Sequence, residues 1–147
     1  MNIVMMAGLL ALSAIISVDD IKNRRIKNTL VVALFPIFIG ISIYNQVLGA
    51  GIINLLIVLI VGSVLFFLGT MGAGDVKLMA LYGILFENLM SLLLVISVVG
   101  GLLTASYILY YVSKKDYATL KTRGIPYGVA ISVGGFISYL FVYVYHI

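Results

Sequence analysis

Residues 52–86 read IINLLIVLIVGSVLFFLGTMGAGDVKLMALYGILF. The segment 52–70 carries no charged side chain, and as a helix rising ~1.5 Å per residue it reaches across most of a hydrocarbon layer about 30 Å thick. A short glycine-bearing break with one aspartate, Asp75, follows, and then a second, shorter apolar run over 76–86. Working outward, similar runs occupy 3–18, 29–47, 89–112 and 126–145. The pattern predicts an all-α, polytopic membrane bundle of about six transmembrane helices forming a single integral membrane domain over 1–147. The run 76–86 is the exception in length. It fits either a span lengthened by its flanks or a short helix buried in the bundle.

Composition agrees: 63% of the 147 residues are hydrophobic, 10% are charged, and mean hydropathy is +1.24, well outside the range of soluble domains. The run 3–18 lacks a basic segment before it and a small-residue cleavage site after it, so it reads as a retained helix and not as a signal peptide. The chain has no cysteine and one histidine, His146. Disulfides, thiolate nucleophiles, cysteine-ligated zinc, multi-histidine metal sites and a Ser-His-Asp triad are therefore excluded. Lys22, Arg24, Arg25 and Lys27 stand in the first connection, Lys77 in the third, and Lys114, Lys115, Lys121 and Arg123 in the fifth. The second and fourth hold no basic residue. Lysine and arginine are retained on the cytoplasmic side, so six spans put all nine basic residues there and both termini outside. Basic residues in such places set topology, and nucleic acid is not an expected partner.

The acidic residues are Asp19, Asp20, Asp75, Glu87 and Asp116. Two spans separate Asp20 from Asp75, which returns the chain to the same face and puts both at similar depth on the cytoplasmic side. Carboxylates at the edge of hydrocarbon are costly and are functional candidates by default. Two of them side by side do not ionise together; they share a proton, so that one acts as base and the other as acid, with no metal or cofactor required. Gly72 and Gly74 flank Ala73 just before Asp75, and allow either positive φ or close approach of another backbone, including a substrate strand. A tight turn with Asp75 as an ordinary helix N-cap fits the same residues.

Taken together, these segments resemble the prepilin peptidases, the type IV leader peptidases of the GxGD class. Asp20-Ile21-Lys22-Asn23-Arg24-Arg25-Ile26-Lys27-Asn28 is similar to that family's first aspartate motif, Gly72-Ala73-Gly74-Asp75-Val76-Lys77-Leu78 to its second, and Ile125-Pro126-Tyr127-Gly128-Val129-Ala130 to the start of its last helix. Lys27 stands where the family usually has proline. The resemblance implies an intramembrane aspartyl endopeptidase with Asp20 and Asp75 as the catalytic pair, and Gly72, Gly74 and Lys77 as shapers of the site. It implies as partner a prepilin-like or preflagellin-like precursor in the lipid bilayer, cut before its hydrophobic helix at the cytoplasmic face of the cell membrane. Nothing here corresponds to the cysteine-bearing, methyltransferase part of the larger members. The length looks like the short branch serving tight-adherence (Flp-type) pili.

Other readings stay open at this level. A proton- or cation-coupled channel component would use the same aspartates, though it favours charges spread through the membrane's depth. An inactive pilus-assembly subunit would keep the fold. The Tyr-Asp and Pro-Ala-Leu motifs of presenilin-like enzymes are absent. Asn28 is a candidate cap for the second helix. Tyr107, Tyr110, Tyr111, Tyr143 and Tyr145 suit an interfacial aromatic belt, Glu87 and Asn88 a turn, and Gly100-Gly101 and Gly134-Gly135 close helix contacts.

Overall fold

The computed structural model describes residues 3–23, 26–116 and 125–144. They form six helices: α1 (Ile3–Asn23), α2 (Asn28–Tyr44), α3 (Leu48–Phe67), α4 (Ala73–Gly83), α5 (Leu89–Ser113) and α6 (Tyr127–Val144). No strand occurs among the described residues. The helices α1, α3 and α5 are each long and apolar enough to cross a membrane, and α2 and α6 are shorter apolar helices. The expected helical membrane bundle is what forms. Its outer face is rich in exposed Ile, Leu, Val and Phe, such as Val32, Ile60 and Leu94, as befits a surface whose solvent is lipid.

The shortest helix is the most buried. Within α4, Leu78, Ala80, Leu81 and Tyr82 are all shielded, and so are Ile84, Leu85 and Phe86 just beyond it. Eleven residues make a helix only about 16 Å long, so α4 ends inside the bundle, where its last carbonyls cannot reach water. A helix end without partners in an apolar setting costs several kcal/mol per group. The carbonyls of Leu81, Tyr82 and Gly83 accept from the N–H groups of Ile84, Leu85 and Phe86, and three neighbouring helices supply donors to the buried turn that follows. Ser42 Oγ of α2 donates to the Ile84 carbonyl at 2.7 Å, Tyr143 Oη of α6 to that of Leu85 at 2.6 Å, and Asn54 Nδ2 of α3 to that of Phe86 at 2.7 Å. The short run at 76–86 is thus a central buried helix with a polar cap made by other helices. Tyr143 is part of that cap; Tyr145 lies outside the described residues. Asn88 caps α5, its Oδ1 accepting from the Met90 N–H at 2.9 Å.

Glycines set the distances between these helices. A Cβ on Gly51 would sit 2.1 Å from the Ile84 carbonyl oxygen, one on Gly135 2.3 Å from the Tyr82 ring, and one on Gly134 2.9 Å from the Ile96 backbone. Of the two glycine pairs expected to mediate contact, Gly134-Gly135 does so, and so does Gly100, where a Cβ would lie 3.5 Å from Ala130 Cβ of α6. Gly101 faces open space. Because Gly51 meets backbone, which cannot swing aside, Gly51→Ala is expected to destabilise the folded chain by about 1–3 kcal/mol in spite of alanine's better helix propensity. Gly49→Ala, with nothing within 4 Å, is expected to be neutral or slightly stabilising. Thermal unfolding of the two variants in one detergent checks the difference.

The contacts separate two ends. Gly74 packs on Ile26, Lys77 binds Asn28, and Gly128 abuts Asp20. At the opposite end the α4 cap joins Ser42, Asn54 and Tyr143, and Asn45 donates to Tyr139 at 3.1 Å. Successive connections therefore alternate between ends, as six antiparallel helices require.

Candidate active site

Asp20 lies in the last turn of α1 and is 5% exposed. The buried face of α1 runs Leu9, Ser13, Ile16 and Asp20, spaced three and four apart as one side of a helix must be. Asp19, one residue away, points elsewhere. It accepts from Asn23 and pairs at 4.0 Å with the largely exposed Lys27. Lys27, at the position expected to be proline, therefore serves as a surface partner for the neighbouring carboxylate.

Asp75 stands in the first turn of α4, before the apolar run. Gly72 is the N-cap of α4, with extended backbone at φ −74° and ψ 142°. The Asp75 carboxylate accepts from the Gly72 N–H, the back half of a capping box. Asp75 is thus the third helical residue folded back on its cap, and not the cap itself. A Cβ on Gly72 would meet Asp75 Oδ2 at 2.8 Å, and one on Gly74 would meet Ile26 Cβ at 3.1 Å. Both glycines serve close approach, not positive φ: among the described glycines Gly69 alone has positive φ, at 72°. Gly74 presses the start of α4 against the connection that follows Asp20.

The two aspartates interact electrostatically. Burial raises the Asp75 carboxyl, the charge of Asp20 raises it further, and the Gly72 N–H pulls it partly back, leaving it at about 6. The folded carboxyl therefore keeps its proton up to about pH 6, whereas an unfolded aspartate releases it near 3.8. The stability this confers is fully present below 3.8 and is lost as pH rises through about 6. Thermal melts are expected to show the wild-type midpoint falling across this window, and a smaller fall for Asp75→Asn.

Residues that sequence reasoning left without a role complete the arrangement. A Cβ on Gly128, in the second residue of α6, would lie 2.8 Å from Cγ and Oδ2 of Asp20. One turn on, Ser132 Oγ donates to the Gly128 carbonyl at 2.8 Å and shares a 2.7 Å hydrogen bond with Ser17 Oγ. Deeper still, Ser13 Oγ and Tyr82 Oη lie 2.7 Å apart. Hydroxyl contacts thus tie α1 to α6 and to α4 beneath the carboxylates. The available signal was spacing: Ser13, Ser17 and Asp20 share one face of α1, and Gly128 and Ser132 one face of α6.

A family model described as the type IV leader peptidase family matches residues 7–109, which include both aspartates, Gly72 and Gly74. The chain belongs to the type IV leader peptidase family. Comparison with curated proteins and with solved structures returned no match. Family membership makes this a membrane-embedded peptidase. Among the remaining candidates from the sequence, Lys77 Nζ donates to Asn28 Oδ1 at 2.9 Å, bridging α4 to α2. Asn28 is then a helical residue held by Lys77; the N-cap of α2 is Lys27, without a side-chain cap. Lys22 is exposed, and Arg24 and Arg25 lie outside the described residues. No cluster of His, Cys, Asp or Glu suited to a metal occurs among the described residues.

Proposed function

We propose that this leader peptidase is an aspartic endopeptidase whose acid–base pair is Asp20 and Asp75, acting on prepilin-type precursors at the cytoplasmic edge of the cell membrane. The observation that carries the reading is that a buried carboxylate from α1 and a part-buried one from α4 stand at the same end of the bundle, near enough for Asp20 to raise Asp75, each abutted by a glycine with no room for a side chain. A pair in that setting holds one proton. The ionised member takes a proton from water, the water oxygen attacks the scissile carbonyl carbon, and the protonated member donates to the carbonyl oxygen. Collapse of the tetrahedral species breaks the C–N bond as a proton passes to the departing amine. Asp75, raised by burial and by Asp20, is the proton-holding member.

The cytoplasmic placement rests on the basic residues: Lys22, Lys27 and Lys77 all lie at the dyad end, and lysine is retained on that side. Gly72, Gly74 and Lys77 act by holding the start of α4 against Ile26 and Asn28. The direct experiment reconstitutes the wild-type chain with a prepilin-type precursor in vesicles and reads the released leader by mass spectrometry. Cleavage at the leader boundary is expected, with an alkaline limb at or above about pH 6 as the pair loses its last proton. No leader release at any pH would remove this reading.

A further inference from the structure

The longest helix is also the least covered. Only Leu92 and Ile96 of α5 are buried, because α5 packs chiefly on α6 and stands away from α3. Two apolar hollows of about 670 and 510 Å³ fill the gap. Both are bounded by Leu65, Met71 and Met79, so they meet at these side chains and together make a cleft in two parts, with Met79 of α4 at its floor.

Its length and its end point identify the occupant. Along α5 the cleft runs from Met90 to Ile108, about 27 Å at ~1.5 Å per residue, close to the ~30 Å of a bilayer core. Its lining is mostly apolar, with Ser97 and Thr104 on α5 and Thr70 and Tyr127 at the dyad end as the polar exceptions. Met71, on the wall, adjoins Gly72, whose N–H binds Asp75. Along α5 the wall carries Ser97, Gly101 and Ala105, four residues apart, where a second helix can approach closely. An apolar helix lying here would end by Thr70 and Met71, just before the start of α4 that carries Asp75.

We propose that the cleft between α3 and α5 holds the single transmembrane helix of the precursor, and so positions the scissile bond by docking the apolar segment that follows it. The proposal rests on the endopeptidase reading above. A lipid chain or a second copy of this chain would fill the same space without any relation to cleavage.

The test exploits two features: the chain has no cysteine, and Gly101 has open space where a side chain would stand. Gly101→Cys is compared with Val32→Cys on α2, which is 71% exposed and does not line the cleft. Each is oxidised in vesicles with precursors carrying one cysteine at successive positions of the apolar helix. Disulfides from position 101 are expected to exceed those from 32 by at least roughly tenfold and to recur once per helical turn of the precursor. In parallel, Gly101→Phe is expected to slow cleavage of the precursor at least about tenfold, while a soluble peptide with the leader and cleavage site but no apolar helix is cut as by wild type. Equal crosslinking from both positions, or unchanged cleavage of the precursor by Gly101→Phe, would overturn the proposal. Wild-type chain that cuts neither substrate would remove the endopeptidase reading, and the crosslinks would still decide what fills the cleft.

Discussion

Asp20→Asn and Asp75→Asn are each expected to cleave a prepilin-type precursor at least about 10³-fold more slowly than wild type, since each amide removes one proton-transfer partner at nearly constant shape. The double variant is expected to be hardly worse than either single one, because the two groups act as a unit. Asp75→Asn can keep the capping contact, its amide oxygen still accepting from the Gly72 N–H. Asp20→Asn relieves a buried carboxyl of its charge. Neither loss of activity should therefore come with loss of the fold, and thermal midpoints measured beside the rates check this. Asp19→Asn is the control: its contacts are Asn23 and Lys27 at the surface, and its rate should stay within about threefold of wild type.

Gly128→Ala is the second large effect, and it involves no ionisable group. The added methyl would stand 2.8 Å from the Asp20 carboxylate, too near for any real contact, and a tight 3.1 Å from its Cβ. The side chain of Asp20 is enclosed, so either it turns away from Asp75 or the start of α6 withdraws, against the Ser132–Ser17 hydrogen bond. A displacement of about 1 Å in a reacting group costs on the order of 10²-fold in rate. Gly128→Ala is expected to show that loss mainly in kcat, whereas Gly40→Ala, with nothing within 4 Å, should cleave as wild type. Equal rates for all three chains would mean that α6 does not position Asp20.

Helix number, and the placing of Asp20 and Asp75 at one end of the bundle, were legible because both rest on one-dimensional signals. Apolar run length marks spans, and an even number of crossings between Asp20 and Asp75 brings them to one face. The family resemblance singles out Asp20 and not Asp19; Asp20 is the buried one of the two, and Asp19 pairs outward with Lys27. What stayed hidden depends on contacts between distant segments. Ser42, Asn54 and Tyr143 look like ordinary polar residues in or beside apolar runs until α4 is seen to end among them. Gly72 could be read as a turn glycine or as an approach glycine; its extended backbone beside the Asp75 carboxylate decides for approach. The cleft leaves little trace either, since lipid and a docked helix ask for the same apolar side chains.

The central claim is that Asp20 and Asp75 form one electrostatic unit, and the most direct measurement follows the Asp75 carboxyl stretch by infrared titration in wild type and in Asp20→Asn, with Asp75→Asn assigning the band. A wild-type midpoint near about 6 that falls when Asp20 loses its charge is the expected result. A midpoint that stays in place would contradict the pair.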